Sequence, residues 1–326
     1  MIQTMIKRKV WLCIFCLSLL TVSYTGSNAN TIKSDRDSQT NVPKEVVTSN
    51  TGNENELRSR IEQIAQTAQG RVGATATVLE TGQSVLFLNE KQRFPMQSVY
   101  KFPIAMAVLA QVDRGKLKLD QKVRIEESDA NPDSTVLEQN SQGKEFSLTE
   151  LLKYAVSESD NTSSDALLRL IGGGKVVTQY LQSLGVNEMV VANPEKEIQQ
   201  DKTLQLQYRN YATPDAAIVL LRALHEGQGL SKSSQALLLQ LMTESSTGPK
   251  RIKGLLPEGT VVAHKTGTSS TVNGVTAATN DAGLVTLPNG HHLAIAVFVS
   301  DAQADEATRE AVIAKVSKVA WDELNK

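Results

Sequence analysis

Hydrophobic and polar positions along the chain follow three successive patterns. Residues 54 to 69 carry helical periodicity, and "RVGATATVLE" and "QSVLFLNE" then alternate apolar and polar positions around Thr81-Gly82, the pattern of a β-hairpin. From residue 98 the period lengthens: Phe102, Ala105, Val108, Leu109 and Val112 recur at helical spacing and predict a buried helix. Helical patterning continues to about residue 242, through "SLTELLKYAVSESDN" and "TPDAAIVLLRALHEG", the latter opened by Thr213 as cap and Pro214 at the first helical position. Strand signals return in "GTVVAHKTGT", "DAGLVTLPNG" and "HHLAIAVFVSD", and an amphipathic helix, "ADEATREAVIAKVSKVAWDELN", follows. Strands at both ends of a helical middle predict an α/β fold. An antiparallel sheet is built from both termini and flanked by helices, an all-helical lobe is inserted, and a cleft lies between the lobes.

The N-terminal stretch changes the picture of where this fold works. Residues 1–29 combine Lys7, Arg8 and Lys9 with the apolar run "VWLCIFCLSLL" and the small-residue end "SNA", which reads as a secretory signal cleaved after Ala29. Residues 30–53 are polar and turn-rich and read as a flexible leader, so the folded domain is expected over 54–326. Its α/β lobe would take about 54–95 and 243–326, and its helical lobe about 96–242. Cys13 and Cys16 both fall in the signal, which removes disulfides, thiolate metal sites and cysteine nucleophiles from the exported chain. Loss of the signal's three basic residues shifts the net charge from −1 to −4, a balance that suggests no nucleic-acid partner. No later run is long and apolar enough to span a bilayer, so export to the periplasm as a monomer is expected, with no membrane partner after signal removal.

Candidate chemistry begins with Ser98 and Lys101 at the mouth of the buried helical run. Positions i and i+3 share a helix face, and a lysine taken out of water loses affinity for its proton and can accept one from a serine. The spacing alone is weak: Ser141-Gln-Gly-Lys144 repeats it in a polar stretch with no periodicity, and an ordinary helix-start serine with a solvated lysine fits as well. Two further runs, Ser159-Asp160-Asn161 and Lys265-Thr266-Gly267, supply the context. Three such motifs, in this order and on helix start, loop and strand, are the signature of serine penicillin-recognising enzymes.

From about residue 54 onward the chain resembles a class A beta-lactamase, and "FPMQSV" with the following lysine and "VVAHKTGTS" resemble its PER-type extended-spectrum branch. The resemblance implies the following roles. Ser98 attacks the lactam carbonyl, and the backbone N–H groups of Ser98 and Thr268 hold the oxyanion. Ser159 passes a proton to the leaving nitrogen, and Asn161 contacts Lys101 and the substrate. Lys265, Thr266 and Thr268, around Gly267, receive the substrate carboxylate. The family's water-activating glutamate falls in "NPEKEIQQ". There Glu195 is preferred over Glu197, because that register places Ile198 at the apolar position. Three departures from the family pattern stand out. Asn193 replaces the usual arginine and Asn210 its aspartate partner, so no ion pair pins this loop and a roomier site is expected. No aromatic residue occurs from Pro103 to Glu145.

The four histidines, His225, His264, His291 and His292, give no convergent spacing, since neighbours on a strand face opposite ways; no metal and no cofactor are expected. No Gly-x-Ser-x-Gly elbow occurs. The expected activity is hydrolysis of beta-lactam antibiotics, including oxyimino-cephalosporins. The alternatives are a cell-wall transpeptidase or carboxypeptidase, which lacks the loop glutamate, and a non-hydrolysing beta-lactam sensor.

Overall fold

The computed structural model describes residues 51–324; the signal and most of the leader lie outside the described residues. Helix α1 (Thr51–Gln66) leads into the hairpin of β1 (Arg71–Val78) and β2 (Ser84–Leu88). The helical section comprises α2 (Lys101–Asp113), α3 (Leu148–Val156), α4 (Asn161–Leu170), α5 (Gly174–Ser183), α6 (Glu195–Gln200), α7 (Pro214–His225) and α8 (Lys232–Thr243). Then come β3 (Val262–Thr268), β4 (Thr279–Thr286), β5 (His292–Ser300) and α9 (Glu306–Leu324). The five strands form one antiparallel sheet in the order β2-β1-β5-β4-β3, so β1 from the start of the fold pairs with β5 from its end.

Strand β5 is buried on both faces, and its alternation decides which layer each side chain joins. Ile295, Val297 and Val299 pack with Ile61 of α1 and Ile313, Val316 and Trp321 of α9. Ala294, Ala296 and Phe298 face the other way, into the core shared with the helical section. The small alanines on that face let the helices approach closely. Helix α2 is buried from Lys101 through Ala110, all round rather than along the stripe its spacing predicts, because it forms the centre of the helical section.

Local chemistry sets the boundaries near the cleft. Thr213 caps α7 by accepting from the Ala216 N–H, with Pro214 in the first turn. The stretch read as one helix from Ser147 to Asn161 is two: α3 ends at Val156, and Asp160 starts α4 as its N-cap, accepting from the N–H of Ser163. A ribbon of Phe94–Pro95, Tyr211–Ala212 and Met189–Val190, with Tyr211–Ala212 in the middle, ties both ends of the loop carrying α6 to the chain entering Ser98.

Candidate active site

Ser98 lies in a single 3-10 turn, Gln97–Tyr100, and Lys101 is the first residue of α2, so the pair sits at a helix junction rather than within one regular helix. Gly267 on β3 makes the facing wall possible: a Cβ there would stand 2.3 Å from Met96 O and 3.1 Å from Ser98 N, so only glycine lets this strand reach the serine turn. Thr268 follows it on the same strand, in register with Thr279.

The Lys101 ammonium is buried and donates to Ser159 O at 2.6 Å and Asn161 Oδ1 at 2.5 Å, with Glu195 Oε1 at 3.8 Å. Its hydrogen bonds thus run to the Ser-Asp-Asn turn rather than to Ser98. The Ser98 hydroxyl donates instead to Glu195 Oε1 at 3.3 Å. Burial pulls Lys101 below the usual lysine range, against the opposing pull of Glu195, Asp165 and Asp160. Lys265 is displaced further down, first by burial and then by the neighbouring Lys101 charge. It donates to Ser159 Oγ at 2.9 Å, so Ser159 bridges the two lysines, one through its carbonyl and one through its hydroxyl. Ser159 holds this double contact at φ +59°, the left-handed region.

Asp160, the middle residue of that turn, points away from the cleft. Its buried carboxylate accepts from Ser163 N and Oγ, Ser134 Oγ, Val136 N and Leu137 N, which fixes the loop opposite and leaves Asn161 free to face Lys101. Burial works to raise this carboxyl, yet those hydrogen bonds hold it below the ordinary aspartate value.

The loop places Glu195 inside, buried against Ser98 and Lys101, and Glu197 outside, accepting from Asn193 Nδ2 at 2.6 Å. The loop, expected to lack its ion pair, is held by other contacts. Asn210, fully buried, accepts from the N–H groups of Ala192 and Asn193 at 2.7 and 2.9 Å and donates to Asn193 O at 2.7 Å. Asp165 of α4 accepts from the N–H groups of Glu195 and Lys196 at 2.8 and 2.9 Å. Neutral amide and carboxylate-to-backbone contacts do the pinning where an ion pair was sought. Burial pushes the Asp165 carboxyl up to about 8, with the neighbouring Glu195 charge adding to it and the two N–H donors opposing it.

Two groups in the site had no motif to announce them. Arg251, almost fully buried, donates to Thr268 Oγ1 at 2.7 Å and to the carbonyls of Gly267 and Asn280, with Glu310 as counter-ion at 3.1 Å. Thr247 Oγ1 meets Thr266 Oγ1 at 2.6 Å. Lys265, Thr266, Thr268 and Arg251 together make one wall of the site cationic and hydroxyl-rich, which suits a carboxylate. His264, next to Lys265, is buried against Asp281 at 2.9 Å on the other side of the strand from Lys265.

Residues 56–324 match the family described as the Beta-lactamase enzyme family. The chain is 42% identical over 274 residues to the extended-spectrum beta-lactamase PER-1 of Pseudomonas aeruginosa, covering 83% of this chain and 88% of that protein. A solved beta-lactamase from Chitinophaga pinensis is 47% identical with a TM-score of 0.79, the match covering 83% of this chain and all of that one. A class A beta-lactamase from Bacteroides cellulosilyticus is 33% identical with a TM-score of 0.77, over 83% of this chain and 98% of that one. With a serine, two buried lysines and a carboxylate gathered in one cleft of this fold, the chain belongs to the beta-lactamase enzyme family, in its class A branch.

Proposed function

We propose that this protein hydrolyses the beta-lactam ring of penicillins and cephalosporins through an acyl-enzyme on Ser98. The observation that carries the reading is the Glu195 carboxylate within 3.3 Å of the Ser98 hydroxyl and 3.8 Å of the Lys101 ammonium. Ser98 Oγ attacks the lactam carbonyl carbon and gives its proton to Glu195, to which it is hydrogen-bonded, or to Lys101 in its neutral amine form, which burial favours. The backbone N–H groups of Ser98 and Thr268 receive the charge that develops on the carbonyl oxygen. The C–N bond then breaks, Ser159, hydrogen-bonded to Lys265, delivers its hydroxyl proton to the departing nitrogen, and the proton taken from Ser98 is passed on to Ser159, which leaves Lys101 and Glu195 as they began. Lys265, Thr266 and Thr268 hold the substrate carboxylate, with Arg251 orienting the Thr268 hydroxyl. In the second half, Glu195 takes a proton from a water that attacks the ester, and the proton returns to Ser98 as the opened acid leaves.

A transpeptidase keeps water from its acyl-enzyme; a buried carboxylate beside the nucleophile favours the opposite outcome. Export to the periplasm and action as a monomer, without nucleic-acid or membrane partners, complete this reading. No helix among the described residues is long and apolar enough to cross a membrane. The PER-1 relative is named an extended-spectrum enzyme, and oxyimino-cephalosporins are included among the substrates proposed here.

The test is Glu195→Gln, which keeps shape and hydrogen bonding but removes basicity. It should acylate in a burst and stall, with the Ser98 adduct visible by intact mass and turnover reduced about 10²- to 10⁴-fold. Glu197→Gln should turn over normally. Reversal of the two, or stalling in neither, would refute the assignment.

A further inference from the structure

At the end of the sheet remote from Ser98, three side chains from separate elements converge. Glu80 lies in the turn after β1, His225 is the last residue of α7, and His292 is the first of β5. Glu80 Oε1 stands 2.8 Å from His292 Nδ1 and 3.4 Å from His225 Nε2, and the two imidazole centroids are 4.5 Å apart. All three donor atoms fall within 4.8 Å of one another. The reading that the histidines give no convergence is corrected here: His292 meets His225 across the fold.

We propose that Glu80, His225 and His292 form a binding site for a divalent transition-metal cation of the zinc type, which fastens α7 to the sheet and takes no part in the reaction. Two imidazole nitrogens and one carboxylate oxygen are a donor set that such cations select. Metal–ligand bonds of about 2.0–2.1 Å in tetrahedral geometry put neighbouring donors about 3.3 Å apart, and the two observed carboxylate–imidazole separations bracket that value. The three donors lie within 4.8 Å of one another, and drawing the two imidazoles together around an ion at Glu80 Oε1 admits it.

The ligands are already held in place, as a metal site requires. Glu80 Oε2 accepts the His292 backbone N–H at 2.9 Å, and Gln235 Nε2 donates to the carbonyls of Leu224 and His225 at 2.8 and 2.7 Å, which fixes the helix end. Each ligand side chain is a quarter to a third exposed, at 29, 26 and 33%, so water can complete the coordination. The nearby Arg222 cation is met by the Leu79 carbonyl at 3.0 Å and by Glu226 at 3.5 Å.

The site is remote from the chemistry. From His292, β5 runs to Val299, which lies in register with Thr279 and through it with Thr268, a span of about 23 Å at the usual rise per residue. Occupancy should therefore change stability and leave catalysis alone.

Untagged protein freed of metal by chelation is titrated with Zn²⁺ alone by calorimetry and with Co²⁺ alone by visible absorption. One ion should bind per chain, and a hundredfold excess of Zn²⁺ over Kd should raise Tm by about 5 °C. Nitrocefin turnover should be the same with and without the ion. His225→Gln and His292→Gln should each abolish the Tm shift and the Co²⁺ spectrum, and Glu80→Gln should weaken binding at least tenfold. All three variants should retain hydrolysis, which shows that they fold. His291→Gln should bind as the parent does. Absence of a saturable Tm shift and Co²⁺ spectrum in the parent, or binding that survives His225→Gln and His292→Gln, would overturn the proposal.

Discussion

Asn210→Ala removes one amide and leaves three backbone groups, the N–H of Ala192 and of Asn193 and the carbonyl of Asn193, without their partner. Asn210 is fully buried, so solvent does not replace those bonds without opening the loop. An orphaned buried group costs about 1–3 kcal/mol, and with partial relaxation the three together should cost about 3 kcal/mol, which lowers Tm by about 5 °C in a domain of this size. The kinetic consequence is selective. Ser98 and Lys101 belong to the turn and helix outside the loop, whereas Glu195 begins α6 within it. Acylation should persist while deacylation slows at least tenfold, so the acyl-enzyme accumulates with a good substrate and is seen by rapid quench and intact mass. Asn193→Ala is the control: its side chain reaches only the exposed Glu197, and its effect on stability should stay below about 1 kcal/mol. A Tm within 1 °C of the parent's together with unchanged deacylation in Asn210→Ala would show that the loop is held by something else.

Asp165 predicts a pH dependence of stability. Its folded pKa, about 8, lies above the ordinary 3.8, so between those values the folded chain holds a proton that the unfolded chain has lost. Its contribution therefore favours folding at low pH and is lost as pH rises toward 8; chemical denaturation from pH 5 to 8 should show stability falling with pH in the parent and a flatter profile in Asp165→Asn, and equal slopes would refute the assignment. For the substrate range, ceftazidime should be hydrolysed at a rate comparable to cephalothin, and a deficit of several orders of magnitude would mean that the cleft excludes the oxyimino side chain.

Strand alternation and helical period carried the fold into the sequence wherever one side chain's surroundings repeat along an element. The two faces of β5 and the Thr213-Pro214 start of α7 are written locally, in residues that touch their own backbone or the next turn. The nucleophile turn, the Ser-Asp-Asn turn and the Lys-Thr-Gly strand were legible for the same reason: each is a short run whose own backbone conformation aims its side chains. Partners brought from afar left no such trace. Arg251 reaches Thr268 from a separate segment, and nothing in "GPKRIKG" distinguishes it from a solvated arginine. Asp165 reads as an ordinary helical aspartate until α6 lays two N–H groups on it.

Asn210 shows why substitution at a familiar position is a poor guide to looseness. Removing an expected ion pair suggests a freed loop, but a buried amide can donate and accept at once, whereas a carboxylate only accepts. At Asn210 both functions are used on one short segment, two bonds accepted and one donated, with no charge to desolvate. A buried ion pair offsets its desolvation only with good geometry, so its replacement by a fully bonded neutral group need not weaken the loop. Whatever room the cleft gains for bulky substrates must therefore come from the path of the loop between its anchors at Ala192–Asn193 and Asn210, while Glu195 stays fixed beside Ser98.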